Sequence, residues 1–85
     1  MNAELLSYHA SLLLKTLKIL IEEDRSLECF SEFFFMLKRT YDNTNYAYEI
    51  HHIRFDERKE LCEKLLEVSK LLRDHTNSQA KLEAL

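Results

Sequence analysis

The chain has no glycine, no proline and no tryptophan in 85 residues. Average usage predicts roughly ten residues of glycine and proline together in that length. Without glycine, backbone positions that need positive φ fall to Asn or Asp. Gly-rich loops that cradle phosphates are excluded, and two-residue hairpins and bulges are disfavoured. Composition alone therefore points to an all-α fold.

No sign of charge dominates. The net charge is −3, with 5 basic and 7 acidic groups in residues 1–43 and 7 and 8 in residues 44–85. No basic half exists to neutralise phosphates, which argues against nucleic acid as a partner. The acidity is too weak for a DNA mimic. Cysteine is scarce: Cys29 and Cys62 show no metal spacing and no disulfide framework, so a reducing, cytoplasmic setting is expected. The charged Glu4 and the lack of a signal-peptide pattern agree with that expectation. The most apolar stretch, Leu5 to Ile21, is interrupted by His9, Lys15 and Lys18. It is at the short limit for a membrane span, and no transmembrane helix or membrane partner is expected.

Catalytic motifs are also missing. No serine sits on a Gly-x-Ser-x-Gly elbow, and neither cysteine has a nearby histidine or an electropositive setting. Helical mutases work with inward cations, but only Arg54 and Arg58 lie near the apolar edge of the third helical segment. The expectation is a protein that is not an enzyme and carries no cofactor.

What is present is a globular composition, 46% hydrophobic and 32% charged. The length suits one domain, residues 1–85, with a modest core of the kind that oligomerisation often reinforces. Three helical segments follow from placing residues at about 100° each.

The first is expected over residues 3–23. Ser7, Ser11, Lys15, Lys18 and Glu22 form one narrow polar stripe, and leucines, isoleucines and Tyr8 fill the remaining arc of roughly 240°. An ordinary surface helix needs little more than about 100°. So wide an arc asks for more cover than two short partner helices give, and predicts a homodimer. The second segment is expected over 27–41, with Asp24 or Ser26 as N-cap. It contains "FSEFFFMLKR", residues 30–39. Phe33 and Phe34 are assigned to the core, with Leu27, Phe30, Leu37 and Tyr41. Phe35 falls outside that face, among Glu28, Ser31, Glu32 and Arg39.

"DNTN", residues 42–45, reads as the break, with Asn and Asp standing in for glycine in a tight connection. A third, longer helix is expected over 45–74, with residues 75–85 frayed or restarting as a short helix at Ser78. Tyr46, Ile50, Ile53, Leu61, Leu65, Val68 and Leu72 make a near-heptad seam on it. Tyr48, Phe55, Cys62 and Leu66 make a second stripe about 140° away. One seam serves the chain's own helical hairpin and the other a partner.

"EIHH", residues 49–52, contains a Glu-x-x-His pair of the kind that binds iron in ferritin-like bundles. Glu49 and His52 are weak metal candidates, because their angle sets them opposite the apolar seam. His51 and His9 read as partly buried packing histidines. The reading is an all-α, three-helix domain, a helical hairpin plus a longer helix, working as a dimeric bundle. Its expected role is a non-enzymatic adaptor, regulator or chaperone-like protein that binds another protein through Phe35, Tyr48, Phe55 and Leu66. The alternatives are a ferritin-like metal protein and a helical DNA-binding regulator.

Overall fold

A computed structural model describes residues 2–24 and 27–83. It is an all-α fold of three helices: α1 (Ala3–Glu22), α2 (Leu27–Glu49) and α3 (Phe55–Glu83). Each helix packs on both others, in a rod of 49 × 18 × 17 Å. No described helix is long and apolar enough to cross a membrane.

The first helix starts where Asn2 caps it, its Oδ1 accepting a 2.8 Å bond from the Leu5 amide. It stops at Asp24, which takes φ 51° while its N–H donates to the Ile21 carbonyl. Asp24 thus fills the left-handed position after the helix, where glycine is commonest. It ends α1 rather than capping α2. Ser26, the other N-cap candidate, lies outside the described residues.

The second connection is not where the composition placed it. "DNTN" does not break the chain: α2 runs through residues 42–45 to Glu49. Thr44 is fully buried on the core face, its hydroxyl donating to the Thr40 carbonyl at 2.8 Å. Asn45 accepts a 2.9 Å bond from Arg58 Nε on α3. Burial of Thr44, bonded within its own helix, and the contact of Asn45 with α3 override the weak helix preference of these residues.

The turn instead falls at residues 50–54. The His51 amide bonds the Tyr48 carbonyl and the His52 amide bonds the Ala47 carbonyl, at 3.1 and 2.8 Å. That pair is a Schellman motif, with His51 at φ 64° in the glycine position. Ile53, just beyond, closes the motif by packing with Ala47, Leu6 and Leu61. α3 then opens with Glu57 Oε1 accepting from the Arg54 amide at 2.9 Å, one half of a capping box. His51 is exposed rather than packed between apolar stripes, because the backbone there turns away from both. α3 continues to Glu83, past the expected end at residue 74.

A non-glycine residue in the left-handed region costs about 1–2 kcal/mol, partly offset by the chain entropy that glycine adds to the unfolded state. His51→Gly is therefore expected to raise stability by about 0.5–1 kcal/mol, and His51→Val to lower it. Urea midpoints of the two variants check this; a loss of stability with glycine would contradict the assigned turn.

Two apolar clusters lie along the rod. Leu13, Leu17, Phe30, Phe33, Leu37, Leu65, Val68 and Leu72 fill one end, and Leu6, Ala47, Ile53 and Leu61 the other. Leu61, Leu65, Val68 and Leu72 are buried as one seam of α3, as the spacing predicts; Ile53 is buried too, but from the turn that precedes α3. Tyr46 and Ile50 leave it and are exposed, since they precede the turn and belong to α2 and its end.

Candidate protein-docking surface

The run of three phenylalanines separates by angle. Phe33 points into the bundle and is 2% exposed. Phe34, about 100° further round, is 52% exposed and forms the lip of the groove between α2 and α3. Its assignment to the core is corrected: the buried arc of α2 is narrower than the apolar arc. Phe35 stands nearly opposite Phe33 and is 68% exposed. Met36 turns the other way, to the groove shared with α1.

The α2–α3 groove is continuous. One segment is lined by Phe30, Phe34, Ser69, Leu72 and Arg73, and it shares Phe34 and Ser69 with the next. The middle segment, about 400 Å³, adds Leu37, Lys38, Tyr41, Cys62, Leu65 and Leu66. The last segment keeps Tyr41, Cys62 and Leu66 and adds Phe55, Arg58, Lys59 and Glu63. Leu66 and Phe55 are largely exposed along its outer edge, and Tyr41 is half-exposed. These rings and chains are held open by their helices: Phe55, Cys62 and Leu66 repeat on one side of α3, while its buried seam faces the core.

At one end the groove is stiffened. The Tyr48 and Phe55 rings meet edge to face, 6.2 Å between centroids, across the turn. The Arg58 guanidinium lies 4.8 Å over the Tyr48 ring and also donates to Asn45. Each contact fixes a side chain that would otherwise be free to rotate. The stripe of Tyr48, Phe55, Cys62 and Leu66 is thus brought together, though by two helices rather than one. Phe35 is not part of it and stands on the outer crest of α2.

Compared with known proteins, the chain matches no family model, no curated protein and no solved structure.

The Glu49–His52 pair loses the geometry it would need. Glu49 ends α2 and His52 follows the left-handed His51, so the two are not one helical turn apart on a common face. Both are exposed, and among the described residues no group of three or more His, Cys, Asp or Glu side chains converges. Cys29 and Cys62 are half-buried and not joined in a disulfide. Cys62 serves as groove floor.

Sequence reasoning missed Phe34 and Tyr41 as lips of the groove, and its basic rim. The signal was present as "FFF" with Tyr41 about two helical turns after Phe34, but a helical wheel cannot say how wide an arc the neighbours cover.

α1 carries a second exposed line. Leu5, Tyr8, Leu12 and Ile19 are 43–62% exposed and spaced 3, 4 and 7, the rhythm of a helix-pairing seam. Of its polar stripe, Ser7 meets α3, where Lys64 Nζ donates to Ser7 Oγ at 2.9 Å, while Ser11, Lys15, Lys18 and Glu22 are exposed.

Proposed function

We propose that the chain is a non-enzymatic protein–protein interaction module, a small adaptor or regulator that works as a helical dimer. The observation that carries this reading is the arrangement of exposed large hydrophobics in two lines at helical spacing, one on α1 and one along the α2–α3 groove. Scattered apolar residues on a surface are ordinary, whereas contiguous apolar lines mark contact sites. Helix-in-groove recognition suits both. The α1 line is assigned to a second copy. The groove and Phe35 are then left for another protein.

The test is sedimentation at low micromolar concentration. The expected result is a dimer, lost in Leu12→Glu, with helical content retained because Leu12 lies outside the core. A sole species at the 10.2 kDa of one chain would remove the dimer from this reading.

A further inference from the structure

The geometry points to an acidic amphipathic helix of another protein as the occupant of the α2–α3 groove; this rests on the reading of that groove as a docking site. Charge decides the partner. Lys38, Arg58, Lys59 and Arg73 line the groove, against Glu63 as its single carboxylate. The whole chain has the opposite balance, 12 basic to 15 acidic residues. The cations are spread along the whole groove: Arg73 at one end, Lys38 in the middle, Arg58 and Lys59 at the other. Among the described residues none of the four meets a carboxylate at ion-pair distance. Arg58 is already oriented by Asn45 and the Tyr48 ring, so it gives up little side-chain freedom on binding.

The apolar floor sets the rest. From Phe55 to Thr76 the groove follows about 22 residues of α3, roughly 30 Å at 1.5 Å per residue. That accommodates a helix of about five turns presenting apolar residues at i, i+3, i+4 and i+7. Carboxylates flanking that stripe reach the cations on the rim. A floor of leucines and Cys62 suits aliphatic anchors better than phosphates, so a protein helix is favoured over nucleic acid. The groove beside α1 offers no such rim, with only Arg39 and His9 as basic groups.

The experiment uses the full chain and designed peptides of about 20 residues, labelled for fluorescence anisotropy. One has a Leu/Phe stripe and glutamates elsewhere, and its counterpart carries lysine at each glutamate. A third keeps the glutamates but has its apolar residues scrambled. The net charge of the chain favours the lysine peptide, whereas the groove favours the glutamate peptide, so the two forces are separated. The expected result is binding of the glutamate peptide about tenfold or more tighter than the lysine peptide, weakened by salt. Scrambling or Leu66→Glu abolishes it, and the combined Lys38→Glu, Lys59→Glu, Arg73→Glu variant reverses the preference. All four positions are exposed, and circular dichroism confirms that the variants remain helical.

If both peptides bind alike and Leu66→Glu abolishes both, the acidic partner is wrong and the docking groove stands. If neither binds, both readings fall. Tighter binding of the lysine peptide, indifference to Leu66→Glu, or displacement of the glutamate peptide by duplex DNA also overturns the proposal.

Discussion

Phe33→Ala is expected to lower stability by about 3–5 kcal/mol, the usual loss when a buried phenylalanine leaves a cavity. Phe33 is 2% exposed and packs in the larger cluster with Leu13, Leu17, Leu65 and Val68, drawn from both other helices. The gap therefore opens where three helices meet and cannot close by moving one of them. A domain of this size holds only about 5 kcal/mol or little more, so the variant should be largely unfolded. Its two neighbours behave differently. Phe35→Ala is expected within about 0.5 kcal/mol of the parent, and Phe34→Ala to lose somewhat more for its half-buried ring. Under the proposed docking role, Phe35→Ala is expected to act on association instead, where a hot spot is worth 2 kcal/mol or more. Circular dichroism melts of the three alanine variants decide the order. Equal losses at Phe33 and Phe35 would mean the helix is rotated from the orientation described.

Asn43→Pro should be nearly as damaging, at about 3 kcal/mol or more. Residue 43 lies in the interior of α2, six residues before its end at Glu49. Proline there removes an interior helical N–H and drives its ring against the preceding turn. It also disturbs the neighbouring Thr44, whose buried hydroxyl is anchored to the Thr40 carbonyl. The same substitution in a loop at residues 42–45 would be tolerated, or would gain about 0.4–1 kcal/mol through the unfolded state. Thermal or urea unfolding thus separates the two placements of the connection. A variant as stable as the parent would return the break to "DNTN".

That placement shows how a local signal lost to a tertiary one. Asp42, Asn43, Thr44 and Asn45 favour turns because their short side chains compete for backbone hydrogen bonds. Nothing in a linear reading reveals that Thr44 fits a fully buried site or that Asn45 meets Arg58. Conversely, "IHHIR" carries no turn residue at all. It turns because Ile53 closes the small cluster with Leu6 and Leu61, and His51 accepts the left-handed backbone that this demands. The expectation that Asn or Asp would replace glycine held at Asp24 and failed at His51 for this reason.

The exposed surface divides in the same way. The outward angle of Phe35 was legible, because it depends only on helical period and on the burial of Phe33. The groove was not, because its two walls come from α2 and α3 and its cations from Lys38 on one and Arg58, Lys59 and Arg73 on the other.

By itself the sequence determined the all-α class, the three helices and the seam of Leu61, Leu65, Val68 and Leu72, since these rest on composition and on a 3.6-residue period. Only the tertiary structure decided where α2 ends, which side of the phenylalanine run is covered, and which charges share a surface. Those depend on distances between residues far apart in the chain. Periodicity along one helix contains no information about the width or charge of its neighbours.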